Sequence, residues 1–288
     1  MVGIEWVFLP ALAAATAGFA YSVNRKDRRR CLSLRLEGIR VNRLIKQLLL
    51  DVQQHRAMAS ALLNGDKSFG TKLEQKQAGI EHDMAALDAL HSRILAAERR
   101  WDGIRDNWQA LRKEVLALSA EDSFRRHVEF VRSIVYLMGD VAERSQVVGS
   151  CGADSALARA LWHKLPVAAE GLGQARALGA GVAAKGQCPS VARIRLRFLK
   201  GRIRETMQWV SDDLKCADAS QAASMLGLWE ATHKTVSDFL ALLEENIIDA
   251  EKPSIDAEHY FGSATKTIDA LFSVFDQVSG QMEKSLAG

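Results

Sequence analysis

Apolar residues recur at alternating spacings of four and three along most of this 288-residue chain. The first such seam consists of Val41, Ile45, Leu48, Val52, His55, Ala59 and Leu62. This spacing places one side chain per turn on one face of an α-helix, as in an antiparallel bundle or coiled coil. No stretch longer than five residues alternates cleanly between apolar and polar residues, as a half-buried strand would. The sequence therefore predicts an all-α fold built from long amphipathic helices.

Turn and cap residues divide the chain into seven predicted long helices. The Asn-Gly pair at 64–65 ends the first helix, and Gly103 is expected to break or bend the second. Ser119 caps the third helix, Pro166 kinks or splits the fourth, and Asp256 caps the seventh. Seven long helices are too many for one four-helix bundle. We therefore expect two stacked four-helix bundles that share long helices, preceded by one transmembrane helix.

The transmembrane prediction rests on residues 6–23, which carry no charge and are followed at once by a basic cluster. Residues 25–30 hold five Lys or Arg and one Asp. An eighteen-residue helix rises about 27 Å, close to the thickness of a hydrocarbon core. The positive-inside rule then places residues 24–288 in the cytoplasm. The alternative is a buried or interfacial helix, because the segment is rich in Ala and contains Pro10.

These residues predict a single-pass inner-membrane protein with two parts. Residues 1–30 form the membrane anchor and its basic flank, and residues 31–288 form one all-helical domain. No second apolar run of comparable length follows in the sequence, so the membrane is expected to be crossed once.

Composition and motif searches exclude several classes of function. The net charge is only +3, and five of the cations lie within residues 25–30, so no nucleic-acid-binding face is expected. The four cysteines are too widely spaced for a zinc site or a disulfide framework, and the seven histidines form no HExxH motif. Phosphate-binding glycine loops and nucleophile motifs are also absent from the sequence. The chain is therefore predicted to hold no metal or cofactor and not to be an enzyme.

Three segments in order carry a family resemblance. They are residues 48–60 (LLLDVQQHRAMAS), 165–179 (LPVAAEGLGQARALG) and 260–269 (YFGSATKTID). Together they resemble the nitrate- and nitrite-sensing (NIT-type) helical sensor domains, over about residues 35–287. The resemblance implies a pair of four-helix bundles that binds a small oxyanion, nitrate or nitrite, and passes a helix movement onward.

The resemblance assigns ligand binding to Arg56 and Arg176, which hold the Arg positions of the first two segments. The first family motif usually reads Gln-x-Glu-Arg-Gly, whereas this chain has His55 and Ala57 at the Glu and Gly positions. The identity of the ligand therefore stays open. A guanidinium suits a planar, weakly hydrated monoanion because its paired donors lie in one plane. An Arg buried without a counter-ion is costly, and a bound anion would offset that cost.

Two classes of function remain open at this point. The first is a membrane-anchored oxyanion sensor whose output passes to a separate, unidentified signalling protein, since no output region is recognisable before Gly288. The second is a helical scaffold with a degenerate ligand site, in which Arg56 pairs with a bundle carboxylate such as Glu170. The oligomeric state also stays open, a homodimer included.

Smaller features receive structural predictions. His55 is expected to be a hydrogen-bonded core residue rather than a ligand. The glycines at 171, 173, 179 and 181 are expected to allow close helix packing, with a small cavity beside Arg176 as the alternative. Core positions are predicted for five tryptophans: Trp101, Trp108, Trp162, Trp209 and Trp229.

Overall fold

The computed structural model describes the backbone of residues 5–145, 147, 153–216 and 219–287. Within those ranges, the side chains of residues 5–21, 153–155, 219–224 and 287 are not described. The described helices are α1 (Glu5–Leu63), α2 (Gly70–Ala89), α3 (Arg93–Ala96), α4 (Arg99–Glu114), α5 (Ala120–Arg144), α6 (Ala153–Arg159), α7 (Leu165–Lys185), α8 (Ser190–Lys215), α9 (Ala219–Leu243) and α10 (Ala257–Ala287). No β-strand occurs in these residues, and the predicted all-α fold is confirmed.

The helices pack around one large hydrophobic core, and Ala59, Leu73 and Val115 form a small second cluster. In the first half of the chain, α1 packs against α2 and α5, and α4 packs against α5. In the second half, α7 packs against α8 and α10, and α9 packs against α10. Because α1 also contacts α7 and α10, it joins the two groups of helices.

Several helix ends follow the predicted caps. The Ser119 hydroxyl accepts a 3.0 Å hydrogen bond from the backbone N–H of Asp122, at the start of α5. The Asp256 carboxylate likewise accepts a 2.8 Å hydrogen bond from the backbone N–H of His259, in the first turn of α10. Gly65 has φ +104° just after α1 ends at Leu63, a conformation that glycine adopts without strain. These three boundary predictions are confirmed.

The predicted break at Gly103 is wrong, because this residue lies inside α4. The helical path is interrupted earlier, where His91 takes φ +46° and Ser92 caps the short helix α3. A glycine within a helix lowers its stability by only about 0.5–1 kcal/mol, which does not end a helix that packing supports. The buried side chains of Trp101, Ile104 and Trp108 provide that packing.

The predicted change of helix geometry at Pro166 is confirmed. Residues Ala160–Lys164 form a turn of π-helix between α6 and α7, and Pro166 follows in the first turn of α7. Proline is tolerated there because its missing N–H has no partner to lose at the start of a helix.

Two predictions of burial on α8 fail. The helical spacing of the apolar residues at 191, 194, 199, 203 and 210 predicts one buried stripe. Leu199, Ile203 and Val210 are buried, but Val191 and Ile194 are exposed. Trp209 is exposed as well, whereas the other four tryptophans predicted to lie in the core are buried.

The predicted localisation also needs correction. No helix in the described part of the chain has both the length and the apolar character needed to cross a membrane. This finding overturns the predicted single-pass inner-membrane localisation. The predicted anchor, residues 6–23, falls mainly on residues whose side chains lie outside those described. The helix α1 runs without interruption through the basic cluster at residues 25–30 to Leu63.

Candidate functional site

Arg56, from the predicted site, lies on α1 with only 1% of its surface exposed. Its guanidinium donates two hydrogen bonds to Glu170 of α7, from Nη1 to Oε1 at 2.6 Å and from Nη2 to Oε2 at 3.2 Å. Paired planar bonds of this kind are the strongest contact that an arginine makes with a carboxylate. The ion pair is the one that the scaffold alternative anticipated.

The Glu170 carboxylate is held by a network rather than by Arg56 alone. The Gln53 amide donates to Oε2 at 3.0 Å, and the Gln174 amide donates to Oε1 at 2.8 Å. On its other side, the Arg56 guanidinium lies 5.5 Å from the centre of the Phe124 ring. Four charge-assisted donors therefore converge on one buried carboxylate.

Arg176, the second predicted site residue, lies on α7 with 5% of its surface exposed. Its Nη1 donates to the Thr265 hydroxyl of α10 at 3.0 Å, and the Phe261 ring lies 4.9 Å from its guanidinium carbon. Among the residues that the structure describes, its Nε has no hydrogen-bond partner and no carboxylate lies within ion-pair distance. Burial, and next the charge of Arg56, lower the pKa of Arg176 to about 10, so it remains a cation at neutral pH.

Two glycines of α7 allow side chains of neighbouring helices to lie directly against its backbone. A Cβ on Gly173 would lie 2.8 Å from Nη2 of Arg56, and a Cβ on Gly179 would overlap the ring of Tyr260. A Cβ on Gly171 would press on Ile203, whereas Gly181 has open space around it. The prediction of close packing is confirmed for three of the four glycines.

A second polar cluster surrounds His55, the residue that precedes Arg56 on α1. Its Nδ1 is 2.8 Å from Nε2 of His127, and its Nε2 is 3.3 Å from the Gln77 amide. His127 Nδ1 must donate to the Ser123 carbonyl, 2.6 Å away, because a carbonyl can only accept. His127 Nε2 then accepts from His55 Nδ1–H, and His55 Nε2 accepts from Gln77.

Both histidines of this cluster are neutral at physiological pH. Burial is the main cause, and it lowers the pKa of His55 to about 3 and that of His127 to about 4. Both side chains are fully buried, so the prediction of His55 as a hydrogen-bonded core residue is confirmed. His127 was not anticipated, although it sits three, four and seven residues before Phe130, Val131 and Ile134 on the buried stripe of α5.

The site includes further residues that the sequence did not single out. Gln53 and Thr265 lie within the first and third family-like segments, but neither carries a charge that would mark it. Gln174 is four residues beyond Glu170 on the same helix, a spacing at which side chains meet. Phe261 reads as one more apolar residue of the α10 seam, and only the fold brings it over Arg176.

Comparison with known proteins gives the family. The model for nitrate and nitrite sensing domains matches residues 47–283, which is most of the chain. The chain belongs to the nitrate and nitrite sensing family. The matched range includes Arg56 and Arg176 together with Glu170 and Thr265, the residues to which these two arginines donate hydrogen bonds.

One solved structure adds information on the fold of this family member. The chain is similar to "Structure of the NasR transcription antiterminator", with a TM-score of 0.69 and 18% sequence identity. The alignment covers 95% of this chain and 74% of that one. At this identity the similarity shows a shared fold. A search of curated proteins finds no match.

Proposed function

We propose that this chain is the sensor of a signalling system and binds a small oxyanion, nitrate or nitrite, between α1, α7 and α10. Arg56 and Arg176 are the ligand-binding residues, and the output passes to a partner protein through movement of the helices. Membership of the nitrate and nitrite sensing family supports the ligand class. Residues 31–288 are the sensor domain in this proposal, with two stacked four-helix bundles that share α1.

The observation that carries the proposal is the charge imbalance at the site. Two buried guanidinium cations lie at the helix interface, and one of them, Arg176, makes no ion pair in the described chain. A buried charge without a partner costs several kcal/mol. A monoanion bound at this interface would remove that cost, and so it would favour the helix arrangement that receives it.

Glu170 gives the proposed sensor a mechanism. Its planar carboxylate occupies the paired donors of Arg56. Nitrate is also planar and offers two oxygens at once, so it competes with Glu170 for the same donors. Exchange of one anion for the other breaks the Arg56–Glu170 ion pair, and so it weakens the link between α1 and α7.

Thermal unfolding of the full chain with and without nitrate tests the proposal. An anion present at 100 times its Kd stabilises the native state by about 2.7 kcal/mol. We expect nitrate or nitrite to raise the Tm, and equimolar chloride to serve as the ionic-strength control. A Tm that no small oxyanion shifts would refute the sensor.

Substitutions of the two arginines localise the effect. Arg176→Ala and Arg56→Ala are each expected to abolish the stabilisation by nitrate, and Arg→Lys to behave almost like Ala because an ammonium lacks the planar fork. Arg202→Ala, at an exposed position on α8, is the matched control and should retain the full response.

The second candidate function is a helical scaffold, and the Arg56–Glu170 ion pair favours it. If that pair serves only the fold, Arg56→Ala leaves a buried carboxylate unpaired and destabilises the ligand-free protein by about 3–5 kcal/mol. In that case nitrate leaves the Tm of the wild-type protein unchanged. The two readouts together separate the sensor from the scaffold.

A further inference from the structure

A groove opens from Arg176 to the surface between the ends of α1 and α7 and the start of α10. Its volume is about 950 Å³. A nitrate ion is roughly as large as two water molecules, which take about 30 Å³ each in the liquid. The groove is therefore many times larger than the ion that the proposed function requires, and its size falls in the range of sites for small organic ligands.

The walls of the groove are apolar because small residues line them. Ala57 and Ala61 come from α1, and Ala177, Ala180 and Gly181 come from α7. Phe261 of α10 adds an aromatic wall. A run of small residues alone does not define a site, but here it leads to Arg176, a residue that is 95% buried and whose Nε has no hydrogen-bond partner in the described chain.

The charges around the groove limit the ligand to one negative group. Arg176 is the cation within it, while Asp66 and Glu258 line its exposed end together with Lys185. A second carboxylate on the ligand would meet two acidic side chains and a single lysine at that end. One anionic group at Arg176 and an uncharged apolar body along the alanine walls is the arrangement that matches these charges.

We propose that the groove binds a small organic monocarboxylate with an aromatic or aliphatic body. The carboxylate accepts hydrogen bonds from Arg176, and the body packs between the small residues of α1 and α7. This inference rests on the proposed function in that Arg176 receives the anion in both. It differs in assigning a larger ligand, which would hold α1, α7 and α10 together through apolar contacts as well as charge.

Isothermal titration calorimetry of the full chain with 4-phenylbutyrate tests this assignment, with nitrate titrated in parallel. The uncharged 4-phenylbutanamide controls for the carboxylate, and acetate controls for the apolar body. We expect 4-phenylbutyrate to bind at least about tenfold more tightly than either control, a difference that one well-buried apolar group supplies.

Gly181→Leu is the deciding variant. Gly181 lines the groove, and a Cβ there meets no atom within 4 Å, so a larger side chain has room to extend into the groove. We expect it to weaken 4-phenylbutyrate binding at least tenfold and to leave the nitrate response unchanged. Gly201→Leu is the matched control on α8, where a Cβ also meets open space. It should change neither titration.

The outcomes distinguish the two proposals. If nitrate binds and 4-phenylbutyrate does not, the groove assignment fails and the nitrate sensor stands. If only 4-phenylbutyrate binds, and Gly181→Leu weakens it, the groove assignment stands and nitrate is not the ligand. Binding of 4-phenylbutyrate that is equal in wild type and Gly181→Leu places it elsewhere and overturns the inference. Binding of neither compound overturns both proposals.

Discussion

Glu170 is the residue on which the two candidate functions differ most. Its carboxylate accepts two hydrogen bonds from Arg56 and one from each of the side-chain amides of Gln53 and Gln174. In a sensor it is an internal competitor that the ligand displaces. In a scaffold it is a permanent partner. Glutamine at this position keeps the shape and removes the charge, so one substitution tests both roles.

We expect Glu170→Gln to destabilise the ligand-free protein by about 3–5 kcal/mol, because it leaves both buried arginines without a carboxylate in contact. In a sensor the same variant binds nitrate more tightly than wild type, since the competitor is gone. Chemical denaturation at increasing nitrate concentration measures both quantities. Glu205→Gln, at an exposed position on α8, should change neither. A destabilised variant that nitrate does not restore would support the scaffold.

At residue level, the sequence predicted which arginines lie at the site better than it predicted the contacts that they make. Arg56 and Arg176 were recognisable because they occupy the Arg positions of two family-like segments. Their partners were less accessible, since Thr265 lies 89 residues from Arg176 along the chain. His127 illustrates the same limit, because its contact with His55 spans 72 residues. A polar residue on an apolar stripe marks a buried position, but only the fold reveals what it bonds to.

At the level of the element, α7 shows how glycine sets the approach of two helices. Gly179 lies against the ring of Tyr260, whose hydroxyl donates a 2.8 Å hydrogen bond to the Ala175 carbonyl. We expect Gly179→Ala to displace this ring and to destabilise the protein by about 1–3 kcal/mol, as overpacking of a core does. Denaturation in urea measures the change.

Gly181 provides the matched control for that prediction on the same helix. A methyl group there meets open space, and alanine favours the helical conformation, so Gly181→Ala should be neutral or stabilising by up to about 1 kcal/mol. Equal effects of the two substitutions would contradict the role of Gly179 in the packing of α7 against α10.

Helix faces were harder to predict than helix ends. On α8 two apolar stripes have helical spacing: Leu196, Leu199 and Ile203 are buried, whereas Val191, Ile194 and Phe198 are exposed. Periodicity identifies a helix and its stripes, but it does not state which stripe meets the core. Caps such as Ser119 are read correctly because their hydrogen bonds are local to the chain.

For the whole molecule, the all-α class followed from the seam spacing, because long amphipathic helices have no other way to bury their apolar faces. The arrangement of helices did not follow, since it depends on contacts such as those of α1 with α5 and α10. The predicted inner-membrane localisation was wrong, since no helix in the described part of the chain is long and apolar enough to cross a membrane.

The buried histidine pair links α1 and α5 and makes the stability of the whole molecule depend on pH. Gln77 and Lys76 face His55 from α2, and Arg56 raises the positive potential at His127. An unfolded histidine has a pKa of about 6.5, well above both native values. The unfolded chain therefore binds protons below pH 6.5 that the native protein does not bind.

Asp83 acts in the opposite direction and has to be separated from the pair. Burial, and next the nearby Asp51, raise the pKa of Asp83 from 3.8 to about 6. The native state therefore holds this proton more tightly than the unfolded state does, and its contribution to stability is lost as the pH rises from about 4 to 6. Asp83→Asn removes the effect and gives a background in which the histidines can be measured.

In that background we expect the free energy of unfolding to decrease as the pH falls below 6.5. Each histidine contributes a limiting slope of about 1.4 kcal/mol per pH unit, so the pair gives roughly 2.7 kcal/mol per pH unit until the native pKa values are approached. Urea denaturation between about pH 5 and 7 measures this slope. His55→Gln should reduce it by about half, even if the variant is less stable overall, because the slope counts protons rather than contacts. His82→Gln, at an exposed position on α2, should leave it unchanged. Equal slopes for the His55 variant and its parent would show that His55 is not held neutral in the folded core.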